Sequence, residues 1–365
     1  MFSWITDALY TFLHWINGWF GGGPGYWGIT IIIFTIFVRL CMTPLDIRSR
    51  AGMRKTQKLQ PQLQALQKKY ANDKEKLNQK TAELYKKAHV NPLSSCLPLL
   101  LTWPILIAVF GAMRTAANAA LLNQVGQILN MQEPTMEPFL WIKNLFMPDN
   151  PTYAALPTFD SLRMVSNNEW IKWFEGLGGV LPTQLQGITA EWFEGLSADV
   201  LKNIPEALRE SILANGVTAA CFEGNNLTGM LVIIASRMQE IPFYAKGVAS
   251  IPGYTIPLVN WTVKNMYNGF LLLPILSAVS QVAMTKLMGN GTPQPAAEGQ
   301  PNTGKFMQWF FPLFSMWICI GYSAAFALYW VAGNLVSMGQ TFLINKYLDR
   351  KEQMAAPVAG EGSVK

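Results

Sequence analysis

The fold class that this sequence predicts is an all-α integral membrane protein, with five transmembrane helices around a hydrophilic groove. Three observations carry the prediction. Half of the 365 residues are hydrophobic and only 14% are charged, against roughly 25% charged in ordinary soluble domains. Apolar runs of spanning length occupy residues 26–45, 93–113, 267–288, 306–322 and 323–343. Charge is also segregated: residues 46–92 carry twelve Lys/Arg against four Asp/Glu, whereas residues 116–266 carry eight against thirteen. Lysine and arginine retained on the cytoplasmic side set topology, so the first segment reads as inside and the second as outside. The amino terminus is then outside and the tail, residues 344–365, cytoplasmic.

Residues 1–25 open the chain with Phe2, Ile5, Leu9, Phe12, Leu13, Ile16 and Phe20 at helical spacing, and with Thr6, Asp7, His14 and Asn17 elsewhere on the wheel. This pattern predicts an amphipathic helix in the outer interface. It lacks the basic start and small-residue cleavage site of a secretory signal, so its removal is not expected. GGGPG at residues 21–25 breaks it from the first span.

Between the first two spans, residues 46–92 form a basic helical hairpin, with Leu59, Leu63, Leu66 and Tyr70 lining one helix and Leu77, Leu84 and Tyr85 the other. Asn72-Asp73 is the expected turn. The hairpin is either a charge-rich topology determinant or a docking surface for anionic lipid head groups or a ribosome.

Residues 114–266 are read as a large extracytoplasmic loop or insertion. WFEGL occurs twice in it, at Trp173 to Leu177 and Trp192 to Leu196, and two copies are too few for a solenoid. Short amphipathic helices are expected, their tryptophans either at the outer membrane surface or in a small local core. The apolar run at 227–236 is too short to span and belongs to this loop. Residues 289–305 then form a flexible cytoplasmic linker.

Arg39 is the most informative residue, because it lies inside an otherwise apolar span. It is thirteen residues past Tyr26, about 20 Å along a helix and in the inner half of the hydrocarbon core. A charge there costs about 2.5–3.5 kcal/mol unless something compensates it. Thr35, Thr43 and Asp46 share its helical face, so the stripe is not expected to meet lipid. Two readings stay open: an arginine snorkelling to the cytoplasmic head groups, paired with Asp46, or a positive charge in a wet pocket that receives something acidic.

Other spans carry hydroxyls and amides, among them Ser94, Ser95, Thr102, Ser277, Ser280, Gln281, Thr285, Gln308, Asn334, Ser337 and Gln340. Each serves either to join helices or, collectively, to hydrate a groove. Pro44, Pro98, Pro104, Pro274 and Pro312 interrupt spans, which suits a concave bundle.

Cys41, Cys96 and Cys319 fall in spans and Cys221 stands alone, so neither a disulfide framework nor a metal-ligand spacing is present in the sequence. His14 and His89 are isolated. Walker, GxSxG and HExxH motifs are absent from the sequence. No catalytic residue, cofactor or metal is predicted, nor any nucleic-acid-specific site, and the chain is not expected to be an enzyme.

In order and in detail these pieces resemble the YidC family of membrane protein insertases. The resemblance is carried by Arg39 to Leu45, the basic hairpin, NPLSSCLPLLLTWPILIAVF (Asn91 to Phe110), FLWIKNL (Phe139 to Leu145), LLLPILSAVSQ (Leu271 to Gln281), and Met307 to Gln340. It implies a positively charged groove open to the cytoplasm and to lipid, in which Arg39 attracts the acidic extracytoplasmic tail of a nascent membrane protein. The groove residues expected are Arg39, Thr35, Thr43, Thr102, Gln281, Gln308, Trp330 and Asn334. Leu106, Phe110, Phe310 and Phe314 are the expected greasy slide for the incoming apolar segment. Implied partners are nascent membrane proteins, the Sec translocon, a ribosome, and anionic lipids at the hairpin. The implied location is a bacterial cell membrane, and the lack of a large domain before the first span fits a cell with a single membrane.

Two departures stand out. Thr102 takes the place of a glutamine frequent in the family before the second-span proline, and residues 150–260 look like an insertion. The competing functional class is an anion channel or solute transporter using the same arginine. Against it, neither an inverted repeat nor a second charge deep in another span is seen. A third class is a chaperone that holds helices already inserted.

Overall fold

The computed structural model describes residues 3–88, 97–256, 261–288 and 303–355. Expectations about Ser94, Ser95, Cys96, His89, Asn91, the linker at 289–302 and the tail beyond 355 lie outside the described residues, as do the side chains of Pro98, Thr102 and Gln308.

Helix α1 (Ser3–Trp19) is followed by the Gly-rich break and by α2 (Trp27–Lys58), which runs without interruption from the apolar segment into basic sequence. Its β-branched run ITIIIFTIFV is helical despite its strand propensity, because a helix satisfies its backbone groups internally where no water is present. Helices α3 (Gln60–Lys69) and α4 (Lys74–Lys87) follow, joined by a short turn. Asp73 caps α4 by accepting from the Lys76 N–H at 3.0 Å, and Leu63 is buried on the α3 side of the pair.

Helix α5 (Leu97–Leu129) has 33 residues and continues well past the apolar run expected to end at residue 113. Its first half packs in the bundle and its second half in a separate loop domain. That domain comprises α6 (Phe159–Leu162), α7 (Asn167–Gly176), α8 (Ala190–Glu194), α9 (Ala198–Leu201), α10 (Glu206–Asn215), α11 (Asn226–Gln239) and α12 (Pro242–Val248). Ser166 and Glu169 close α7 with a reciprocal capping box. An antiparallel hairpin, β1 (Ser250–Ile256) and β2 (Trp261–Lys264), pairs Ser250 with Lys264 and Ile256 with Trp261. The chain is thus mostly helical, with one small strand pair that the sequence reading lacked.

Three helices complete the bundle: α13 (Leu272–Met288), α14 (Thr303–Gly321) and α15 (Ala324–Ala355). Two described helices are long and apolar enough to cross a membrane, Trp27–Lys58 and Pro104–Leu129, and shorter apolar stretches occur at Leu272–Leu287 and Trp309–Gly321.

Two cores result. One gathers Leu13, Ile31, Phe34, Val109, Met113, Leu273, Ala327 and Tyr329 at the centre of the bundle. The other gathers Leu121, Val125, Trp170, Phe193, Leu208, Phe222, Met230 and Ile234 in the loop domain. The two options left open for the loop tryptophans therefore resolve. Trp170 is fully buried and stacks on Phe222 at 5.9 Å, while Trp173 and Trp192 pack against the same core. The short apolar run at 227–236 is the central part of α11, the helix around which that core forms.

Candidate functional site

A strap between α5 and α6 fixes the mouths of α13 and α15. Helix amino termini leave N–H groups without intrahelical acceptors. The Leu145 and Met147 carbonyls accept from Ala325 and Ala324 N–H at 2.7 and 2.9 Å, at the start of α15. The fully buried carboxylate of Asp149 accepts from Phe270, Leu271 and Leu273 N–H at 2.8, 3.2 and 2.7 Å, at the start of α13, and from the Trp141 indole at 3.2 Å. Asn268 donates to the carbonyls of Asn144, Met147 and Pro148. The strap's Phe139 ring lies directly over Gly28 of α2, leaving no room for a side chain there.

Beyond this closure, Arg39 of α2 lies against α15, which packs on α13 through its Asn334 side. Its guanidinium lies against Gly333 of α15, where a Cβ would approach Nη2 to 3.2 Å and Nε to 3.5 Å. Among the described residues Arg39 has neither a hydrogen-bond nor an ion-pair partner for its guanidinium. The expected pairing with Asp46 is not an ion pair in the structure, though the two charges lie close enough to interact electrostatically. Further along α2 the cations are held: Arg50 donates to Thr341 at 2.6 Å, Arg54 pairs with Asp349 at 2.6 Å, and Lys58 with Glu352 at 2.8 Å.

Pro44 lacks the N–H that the Leu40 carbonyl would receive, which loosens this turn of α2. Gln340 of α15 reaches into it, donating from Nε2 to the Arg39 carbonyl at 2.9 Å and to the Thr43 hydroxyl at 2.8 Å. The Thr43 hydroxyl in turn donates to the Arg39 carbonyl at 3.2 Å. Asn334 donates to the Ser280 hydroxyl at 3.0 Å, joining α15 to α13. Three enclosed polar atoms on this part of α15, Trp330 Nε1, Ser337 Oγ and Gln340 Oε1, have no hydrogen-bond partner among the described residues. Such atoms are rare in native proteins and ask for water or a ligand.

The structure thus brings Arg39, Thr43, Trp330 and Asn334 into one region, with Gln281 half-buried nearby in sequence on α13. Thr35 is different: it is fully buried and its hydroxyl donates back to the Ile31 carbonyl at 2.6 Å, a bond within its own helix. Phe310 and Phe314 stack 5.4 Å apart on the exposed face of α14, beside exposed Trp309, Leu313 and Trp317. Phe110 sits elsewhere, its ring against Tyr322 and Phe326 at 4.9 and 5.1 Å, and Leu106 is half-buried one turn before it on α5.

Gln340 and Asp149 were not among the expected site residues. An amide nearly two turns beyond Asn334 in an otherwise apolar span was the available signal for the first. For the second it was a lone acid in the apolar stretch FMPDNP.

A family model described as "60Kd inner membrane protein" matches residues 17–184 and 230–352, leaving out the segment from α8 to the start of α11. The chain is 43% identical over 158 residues to a protein of Fusobacterium nucleatum named membrane protein insertase YidC, covering 43% of this chain and 68% of that protein. It is 39% identical over 127 residues to the protein of that name in Clostridium tetani, covering 34% of this chain and 51% of the relative. With that of Clostridium perfringens it shares 36% identity over 163 residues, covering 44% of this chain and 61% of the relative. For longer relatives, such as that of Anaeromyxobacter dehalogenans, the chain spans only 21% of their length. A matching family model over most of the chain and relatives that share one name agree with the helical bundle, and the chain belongs to the YidC family of inner membrane proteins.

Proposed function

We propose that this protein is a membrane protein insertase, in which Arg39 receives the acidic tail of a nascent membrane protein in a hydrated groove between α2, α13 and α15. The observation that carries the reading is that, among the described residues, the guanidinium of Arg39 is unpaired against Gly333 of α15, the helix that also holds three enclosed polar atoms without partners. Arg39 is half-buried, and a charge within an apolar span persists only when something compensates it; water within the groove supplies that role until substrate arrives. The reading places the basic α3–α4 pair and the α15 carboxyl end in the cytoplasm, the loop domain outside, and five spans between them. A half-way aqueous site divides the desolvation barrier of a translocated tail into smaller steps. Partition of the substrate's own apolar segment into lipid then supplies the drive. The exposed aromatic face of α14, with Phe310 and Phe314, offers the surface along which that segment leaves.

The test is insertion of a single-span protein with a short acidic tail into proteoliposomes. Arg39→Ala is expected to lower the yield about tenfold, a step of about 1.4 kcal/mol, and Arg39→Lys to retain most of it because a point charge suffices. Equal loss with both substitutions would make Arg39 a packing partner of Gly333 and end this reading. Photocrosslinkers at Thr43 and Gln281 should capture the tail before it crosses. Anion flux through liposomes without any nascent chain would favour the channel instead.

A further inference from the structure

A cavity of about 370 Å³ lies where the loop domain meets the bundle, apart from the Arg39 region. One wall is α5 from Phe110 to Leu121; the others are the strap at Phe146 to Pro148, the segment after α6 with Arg163, and the hinge between α14 and α15 at Tyr322. Its depth follows from α5. Before the cavity α5 exposes Ile107 outward, and beyond it Leu121, Leu122 and Val125 enter the loop-domain core. With α5 crossing the bilayer, Arg114 stands where hydrocarbon gives way to head groups.

The lining is divided chemically. Phe110, Met113, Tyr322 and Phe326 make an apolar half. Arg114 and Arg163 stand exposed at the rim, and among the described residues neither has a carboxylate partner. Arg114 is oriented by one bond, from Nη2 to the Met164 carbonyl at 3.0 Å, with its other N–H groups left over. Glu169 does not neutralise them: its carboxylate holds the cavity-lining Asn118 at 3.1 Å and caps α7 through Ser166. Two arginines therefore line one cavity, Arg163 with its guanidinium 5.8 Å from the Phe159 ring centre, next to a loop segment with an excess of acids.

The geometry points to a binding site for a phospholipid, the phosphate between Arg114 and Arg163 and the glycerol and upper acyl chain against Phe110, Tyr322 and Phe326. Guanidinium groups match phosphate oxygens with paired N–H donors. A free anion would leave the aromatic wall wet, and an uncharged lipid would leave both arginines unneutralised. The volume falls within the usual range for small-ligand sites, roughly 300–1,000 Å³. The site depends on α5 crossing the membrane, not on the role given to Arg39.

Native mass spectrometry of the full chain, titrated in detergent with short-chain phosphatidylglycerol, tests the proposal. The wild type is expected to bind the lipid about tenfold more tightly than the Arg114→Gln/Arg163→Gln variant, the loss of two charge-assisted bonds. Arg163→Gln alone alters only an exposed side chain and should fall between them, so the test survives if the double variant folds poorly. Arg39→Ala should bind the lipid as the wild type does, which separates this proposal from the insertase reading. Equal affinity in wild type and both rim variants overturns it. So does displacement of the lipid by equimolar inorganic phosphate, which would make this a site for the free anion.

Discussion

The bundle and the loop domain bury opposite things. In the loop domain apolar side chains are inside, and large exposed ones such as Val180 and Leu213 are scattered. The bundle turns Phe37, Leu40, Ile275, Val279, Leu313, Trp317, Phe342 and Leu343 outward, while Ser277, Asn334, Ser337, Gln340 and Thr341 are buried. An exposed apolar belt of that extent is untenable in water and natural against acyl chains, which gain nothing from burying leucine. One helix, α5, obeys both regimes in its two halves. The difference teaches that the bundle joins its helices partly through polar side chains, Asn334 to Ser280 and Gln340 to Thr43, where the loop domain relies on apolar packing.

The comparison breaks first at Trp170. Trp170→Ala removes the largest fully buried side chain of the loop domain and is expected to cost about 3–5 kcal/mol, seen as early loss of that domain's thermal transition. Asp149→Ala strips the acceptor from three backbone donors and an indole. At about 1–3 kcal/mol for each group left unsatisfied and with partial relaxation, a net loss of about 3 kcal/mol is expected, read as lower melting temperature in detergent.

A matched pair sharpens the contrast. Phe342 in the bundle is 70% exposed and Val180 in the loop domain 73%. Phe342→Asp should cost about 2.5–3.5 kcal/mol of membrane insertion or stability, whereas Val180→Asp should stay within about 0.5 kcal/mol. Similar costs at both positions would mean that the outer surface of α15 does not face lipid. Ser337→Ala deletes an enclosed hydroxyl without a partner and should raise melting stability by up to about 1 kcal/mol while lowering insertion activity.

The smallest effect is a pH dependence at Glu137, which ties the strap to the Gly-rich break by accepting from Gly25 N–H at 2.8 Å. Burial raises its carboxyl above the ordinary range, against the opposing pull of that bond. A raised folded value means that the native state binds the proton more tightly than the unfolded chain. Stability is then lost as pH rises from the ordinary carboxylate range through the raised value. Glu137→Gln should flatten that slope in pH-dependent melting.

Much of the bundle was legible because long apolar runs, proline positions and segregated charge are local signals. The seam of the basic pair at Leu63 is equally visible in its helical spacing. The same signals do not say what lies on the other side of a helix. Thr35 shares a face with Arg39 yet spends its hydroxyl on Ile31, and Phe110 looks like part of a lipid-side track yet packs against Tyr322 and Phe326. Gln340 joins the site from a helix about 300 positions later in the chain, donating to the Arg39 carbonyl and the Thr43 hydroxyl next to Pro44.

By itself, then, the sequence determined that this is a helical membrane protein with a lone arginine in its first apolar helix, because hydrophobicity, charge and period depend on residues close in the chain; its motifs, taken in order, carry the resemblance to the YidC family. Only the tertiary structure decided which apolar surfaces stay exposed and which pack against protein, because lipid and a protein core select the same side chains. It also decided that Asp149 and the strap carbonyls complete the starts of α13 and α15, since those donors and acceptors come from segments up to 180 positions apart.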